Sequence, residues 1–399
     1  MSSDSDEHQR VARGGASKLP PRFWQTAGAL AFLLFVSLNV VNALHKGGDF
    51  DVFLETGERA LKADPLYTPH VEHSDPGIVG PPFQGMFFAP FSLVARASLP
   101  FARLLWFALN LAGLFGGAWL WIRAFGAATP LLIPLIAIAL PAQTNFEFQN
   151  MNALLLGITG AGVFLIARNR DLSGGAIVGA AAALKVFPGL LLVYLLVKRR
   201  WRAAIAGLVT VALLTALPII RYGVTGTIHL VSDWIGLRAH GDWFAGIPSN
   251  QSILALGERL GLVDVAIAAA AALVIVDLGI ALRRTDTSRS DIASELALTL
   301  AVAVLVSPIA WDHDWVLMFP ICAVAYAFGR SRESRGRVAC LGAFWIGAIL
   351  MTGISRATVG RAGFTWAREH GNSTIAALLL IGAVGAALAS PSSSSSRAT

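Results

Sequence analysis

Long apolar runs separated by short polar links make up most of this chain, and the length of the runs sets what they can be. Runs near 22–44, 83–98, 104–122, 202–219, 262–282, 292–309, 314–328, 338–355 and 372–389 approach the ~20 residues a helix needs to cross a bilayer. The expected fold is an all-α polytopic membrane protein. Between Arg123 and Lys198 the pattern allows two readings, both with an odd number of crossings. In one, three ordinary spans put Arg168 and Arg170 outside. In the other, 130–146 is a re-entrant element between Pro130 and Pro141, 151–167 crosses, and 174–197 is a helical hairpin broken near Lys185 to Pro188. The second is preferred, because it keeps both basic clusters inside and confines broken helix to a cavity wall.

Composition agrees with the pattern. The chain is 55% hydrophobic and only 14% charged, with a mean hydropathy of +0.63. The net charge of +7 could suggest nucleic acid, but Lys and Arg sit in short clusters between apolar runs, so no basic face remains for a nucleic-acid partner. Cys322 and Cys340 both lie inside apolar runs, which points to packing and away from a disulfide or a thiolate metal site.

The basic clusters orient the chain. A polar tail over 1–21 carries Arg10, Arg13 and Lys18 and is expected to be disordered and cytoplasmic, followed by an uncleaved anchor. Arg96 with Arg103, Lys198 to Arg202, Arg283 with Arg284, and Arg330 with Arg337 are expected on the cytoplasmic side. The membrane domain then spans 22–389, with external stretches over about 45–82 and 221–256 and a disordered cytoplasmic tail over 390–399. Arg356, Arg361 and Arg368 fall outside by this count, against the rule. Val52 to Lys62 has helical spacing of apolar positions and is expected to lie along the membrane surface.

Polar residues near or within the spans are the candidates for chemistry, because each costs free energy unless it is paired. Asp49 and Asp51 follow the first span, beside Gly47 and Gly48. Glu147, Gln149, Asn150 and Asn152 form a second island, whose structural reading is that amides satisfy broken backbone. Lys185 has no acid within a helical turn, so its partner is either an anionic ligand or a structural acid such as Glu147. Asp312, His313 and Asp314 lie at a span junction, where flanking carboxylates should hold the imidazolium to higher pH. Asn250, Gln251 and Ser252 match a glycan-acceptor triplet, a short pattern. Asp49 and Asp51 also have the spelling of a two-carboxylate clamp for a divalent cation.

These segments together resemble glycosyltransferase family 87 of the GT-C superfamily. The resemblance rests on Asp49-Phe-Asp-Val-Phe53, Gly80-Pro-Pro-Phe83, Asn150-x-Asn152-Ala-Leu-Leu-Leu, Ala183-Leu-Lys-x-x-Pro188, Asn250-Gln-Ser252 and Ser307-Pro-x-x-Trp-Asp-His313, in that order. Phe53, Gln149-Asn150 and Asp314 depart from the family's usual Tyr, Gly-Gln and second His. The resemblance implies a multispan helical bundle with an external catalytic loop and re-entrant or broken helices, in a bacterial plasma membrane. It further implies inverting transfer of a sugar, mannose first and arabinofuranose as the alternative, from a polyprenyl-phosphate donor to a glycolipid or polysaccharide hydroxyl outside the membrane. On this reading Asp49 is the base and His313 and Lys185 meet the donor phosphate. Asp51, Asp312, Asn150, Asn152, Asn250 and Gln251 support them, and no metal or other cofactor is expected. The rival class is a transporter or lipid-linked sugar flippase, whose broken helices and buried ions would look similar.

Overall fold

The computed structural model describes residues 21–67, 80–126, 129–239, 246–284, 288–331 and 336–390. The tails expected over 1–21 and 390–399 fall almost wholly outside the described residues, as does 68–79 within the first external stretch. Among the described residues the chain is helical, with one isolated β-bridge between Asn250 and Trp311. Four helices are long and apolar enough to cross a membrane singly, and up to seven spans result if each sharply bent pair counts as one.

The first part of the bundle is built on small residues. Helix α1 (Pro21–His45) leads to α2 (Asp49–Lys62), α3 (Phe83–Ala97) and α4 (Leu99–Phe125). Helix α4 opens with the Ser98 side chain accepting the Phe101 N–H at 3.4 Å and closes on the left-handed Gly126. After α5 (Leu132–Ala137) and α6 (Ala139–Phe148), α7 (Asn152–Ala167) lies parallel to α4. A Cβ at Gly113 would come within 2.5 Å of Ala153 and Leu154 backbone, and one at Gly117 within 2.6 Å of Gly157. Close backbone approach substitutes here for a hydrophobic drive that lipid does not supply. Helix α8 (Asp171–Leu184) runs back along α7, with Gly162 against Gly174, and α10 (Trp201–Ala216) follows α8 through Gly179 and Gly207.

Two interruptions break the helices, and the one near Lys185 falls where the proline and polar pattern predicts. Chain between α8 and α9 (Gly189–Val197) leaves the helix at Lys185, which is extended at φ −141°, ψ 128°, just before Pro188. Between α5 and α6 the ladder breaks at Ile138, and the Thr352 hydroxyl patches it by donating to the Ala137 carbonyl (2.8 Å) and accepting from Leu140 N–H (3.3 Å).

The remaining elements close around the buried α14 (Arg289–Val306). They are α11 (Ile219–Ala239), α12 (Ile253–Arg259), α13 (Val263–Arg283), a 3₁₀ turn at Asp312–Met318, α15 (Phe319–Arg330), α16 (Arg337–Ala348), α17 (Arg356–Glu369) and α18 (Asn372–Ala389). Much of the stretch expected as a large external loop is therefore helix. Cys322 and Cys340 are free and buried, as packing residues should be.

Several expectations are corrected. Arg96 pairs with Glu58 at 2.7 Å and Arg103 with Asp51 at 2.8 Å, so both arginines lie at the Asp49 end of the bundle and not across from it. Helix α3 lies along α2 instead of crossing, and the charge-count rule misplaced these arginines because it ignores partners. Consequently α4 runs from the Asp49 end to the Arg123 end, and the passes before Lys198, namely α5 with α6, α7, α8 and α9, are even in number. The segment 130–146 is also not re-entrant. It returns along the bundle, since Asn42 Nδ2 donates to the Glu147 carbonyl at 3.1 Å, beside the end of α1. Finally, the surface helix begins at Asp49 and not at Val52.

At the opposite end, Arg200 pairs with Asp171 at 3.0 Å, and Lys198 with Glu295 at 2.8 Å while Tyr194 donates to the same carboxylate oxygen at 2.7 Å.

Candidate active site

Gly48 makes the turn that presents Asp49. Its φ of 53° lies in the left-handed region, and a Cβ there would collide with the Phe148 carbonyl, so only glycine lets α2 begin against the α6–α7 turn. Helix α2 is held by aromatic packing: Phe50 stacks on Trp106 with centroids 5.2 Å apart, and Phe53 on Phe88 at 4.6 Å. The Trp106 indole donates to the Gln149 carbonyl at 2.8 Å, tying this cluster to the turn. Gln149 in turn donates to the Ala43 carbonyl at 3.2 Å and to that of Lys46, so it caps the end of α1.

A cavity of about 1420 Å³ opens beside this turn. Asp49, Glu147, Asn150, Lys185, Asp312, His313 and Asp314 line it, which brings together polar groups spread through the sequence from position 49 to position 314. Leu190, Val193, Ile267, Val274 and Val306 add an apolar part to its wall.

Hydrogen bonds connect the islands in a line. Asn150 Nδ2 donates to Asp49 Oδ2 at 2.6 Å, and Asn152 Nδ2 donates to Asn150 Oδ1 at 2.8 Å. Lys185 Nζ donates to Asn152 Oδ1 at 2.7 Å and is ion-paired with Asp314. The acid that answers Lys185 is therefore Asp314, and the pairing with Glu147 considered from sequence does not form. Asp314 is fixed in turn by the Trp311 N–H, which donates to its Oδ2 at 2.8 Å.

The Asp-His-Asp triplet divides its charges. Asp312 pairs with Arg368 and Asp314 with Lys185, which leaves His313 between two neutralised carboxylates. Burial pushes its imidazole below the ordinary value, Asp314 and Asp49 pull it partly back, and Lys185 lowers it again. The expectation that flanking carboxylates keep the imidazolium charged is thus corrected: burial outweighs the upward pull of Asp314. His313 Nε2 is buried with no hydrogen-bond partner among the described residues.

Asp51 points away. Two residues along a helix rotate a side chain by roughly 200°, and Asp51, ion-paired with Arg103, does not line the cavity. Asp49 and Asp51 therefore do not form a two-carboxylate clamp. Among the described residues no group of three or more His, Cys, Asp or Glu stands at metal-binding distances.

Asn250 and Gln251 are fully buried and outside the cavity wall. Asn250 Nδ2 donates to the Pro308 carbonyl at 3.0 Å, and its Oδ1 accepts from Ala310 N–H at 2.9 Å. Gln251 Nε2 donates to the Arg368 carbonyl at 2.7 Å. They brace the loop that carries His313 and the helix that carries Arg368. Ser252 is equally buried, so the triplet presents no accessible glycan acceptor.

The sequence reading missed Arg356 and Arg368 as cavity residues. Both line the cavity from α17, at 5.8 and 5.0 Å from the Phe364 ring. Their signal was visible as arginines on the side the charge rule forbids.

The helical membrane bundle thus holds a cavity whose wall combines charged side chains with apolar ones. The profile of glycosyltransferase family 87 matches residues 79–308, and the chain belongs to that family. Family membership makes the protein a glycosyltransferase and sets aside the transporter reading.

Among curated relatives, a polyprenol-phosphate-mannose-dependent alpha-(1-2)-phosphatidylinositol mannoside mannosyltransferase of Mycolicibacterium smegmatis is 26% identical over 367 residues, covering 82% of this chain and 80% of the relative. A polyprenol-phosphate-mannose-dependent alpha-(1-2)-phosphatidylinositol pentamannoside mannosyltransferase of Mycobacterium tuberculosis is 28% identical, covering 64% of this chain and 59% of its own length. An alpha-(1->3)-arabinofuranosyltransferase of Mycobacterium tuberculosis is 32% identical over 210 residues, covering 49% of this chain and 45% of the relative. No solved structure matches the chain.

Proposed function

We propose that this protein transfers a mannosyl group, with inversion, from a polyprenyl-phosphate donor to a hydroxyl of a glycolipid or polysaccharide at the external face of a bacterial plasma membrane. The observation that carries the reading is one cavity lined by Asp49, by His313, whose Nε2 has no hydrogen-bond partner among the described residues, and by a run of apolar side chains. The cavity exceeds the ~300–1,000 Å³ of an ordinary ligand pocket, which leaves room for a prenyl chain along Val193, Ile267 and Val274 and an acceptor beside Val52 and Trp234.

In the transfer, the acceptor oxygen attacks carbon 1 of the sugar as the bond from carbon 1 to the phosphate oxygen breaks. Asp49 takes the acceptor proton, and the phosphate departs with the bonding electron pair. His313, and the third N–H of Lys185 left over from Asn152 and Asp314, face the leaving phosphate. Arg356 adds positive charge to the lining, whereas Arg368 is offset by Asp312. Because the leaving group is a stable anion, this scheme needs no divalent metal. The external placement follows from putting the ends at Arg123, Lys198 and Arg284 in the cytoplasm, together with both termini.

The likeness to an arabinofuranosyltransferase supports a second donor, polyprenyl-phosphate arabinofuranose. Purified protein in vesicles, offered a radiolabelled panel of polyprenyl-phosphate sugars and membrane lipid acceptors, should transfer mannose. Transfer of arabinofuranose alone would favour the second donor, and transfer from neither donor would refute the proposal.

A further inference from the structure

We propose that Lys185 acts on Asp49 from a distance, as a positioning residue, by fixing the direction of the two side-chain amides that join them. The proposal rests on the reading of Asp49 as the base. An asparagine amide can present either its oxygen or its NH₂ group to a neighbour, and the two choices differ only in what they meet. An ammonium has donors and no acceptor, so Lys185 turns the Asn152 oxygen toward itself, at 2.7 Å. The Asn152 NH₂ group must then face Asn150, whose oxygen it meets at 2.8 Å and which also accepts the Met151 N–H at 2.8 Å. That leaves the Asn150 NH₂ group for Asp49, at 2.6 Å.

Reversing the line would set an amide oxygen against the Asp49 carboxylate and N–H groups against the ammonium, a repulsive contact at each end. Asn152 is fully buried and Asn150 nearly so, so the bond between the two amides is kept from water. Asp314 holds Lys185 at the start of the line, so the direction is set by an ion pair at the end of the line away from Asp49. With Oδ2 of Asp49 occupied by Asn150, Oδ1 is the oxygen presented to the acceptor hydroxyl.

Asn152 is the residue to test, because it does not line the cavity. Asn152→Asp keeps an acceptor for Lys185 but has no N–H for Asn150, and its carboxylate attracts the Asn150 NH₂ group, so only the Met151 N–H is left to hold the Asn150 oxygen in place. Combined with Asn150→Ala, it makes a cycle read in kcat and in the KM for donor. Each single substitution should lower kcat by about 10- to 100-fold, the cost of misplacing a reacting group, with donor KM changed by less than about threefold. The double variant should be no slower than the slower single one. A wild-type kcat in Asn152→Asp, or losses that multiply in the double variant, would overturn the relay. If Asn152→Asp does not fold, Asn152→Leu carries the same two outcomes. Asp49→Asn separates the causes. If it retains full activity, the base reading falls and the relay with it; if it is inactive while the losses multiply, the relay falls alone.

Discussion

Asp51 and Arg103 are ion-paired at 2.8 Å on the side of α2 away from the cavity, although Asp51 lies only two residues from the proposed base. The Asp51 side chain is 47% exposed, so the pair behaves as a surface one, worth at most about 1 kcal/mol. Asp51→Asn should therefore reduce transfer less than about tenfold. A loss as large as that of Asp49→Asn, together with silencing of the wild type by a chelator, would restore the metal-clamp reading.

The same pair fixes which residues share a membrane face. Cysteines placed at Lys46 and at Ser98 should both react with an impermeant thiol reagent applied outside, while one at Arg202 should not. Protection of Ser98→Cys with labelling of Arg202→Cys would return α3 to a crossing helix and invert most of the bundle.

His313 is buried and held below its ordinary pKa, so its folded form favours the neutral imidazole. The unfolded chain then binds more protons once the pH drops below about 6.5. This contribution to stability is present above that value and is lost as pH falls toward the folded pKa. Thermal unfolding in detergent should lose more stability between pH 7 and pH 5 in the wild type than in His313→Asn. Equal losses would contradict a neutral buried imidazole. Transfer by His313→Ala at pH 7 should fall by about 10²–10³, the usual cost of one charge-stabilising donor.

Outside the cavity lining, Lys198 and Glu295 form a buried pair with side chains 8% and 2% exposed. Removing one partner of such a pair costs about 3–5 kcal/mol. Lys198→Met should lower the unfolding temperature in detergent while leaving the kcat of the folded fraction near wild type. Unchanged stability would show that Arg284 and Tyr194 suffice for Glu295.

Much of the site was legible in the sequence, because polar residues next to apolar runs are costly and few. Asp49, Asn150, Lys185 and His313 stand out on that ground alone, and they meet at one cavity. Their partners were not legible. Nothing local to Lys185 indicates Asp314, since the two are 129 residues apart, and the Asp312 to Asp314 triplet hides the fact that each acid serves a different cation. Topology failed for a related reason. The charge rule counts Arg96 and Arg103 as cytoplasmic anchors, but both are neutralised by acids of α2, and paired arginines carry little information about side. Arg356, Arg361 and Arg368 broke the same rule, and two of these three line the site. Helix α2 was recognised from its spacing but begun three residues late. That difference decided which acid faces the cavity.

The account turns on Asp49 as the group that takes the acceptor proton. Asp49→Asn keeps the size of the side chain but removes the carboxylate that accepts a proton, and it can be assayed with saturating polyprenyl-phosphate mannose in vesicles. Transfer should fall by about 10²–10⁴, the range for a lost general base, with donor binding near normal. Full transfer activity in folded Asp49→Asn would contradict the account.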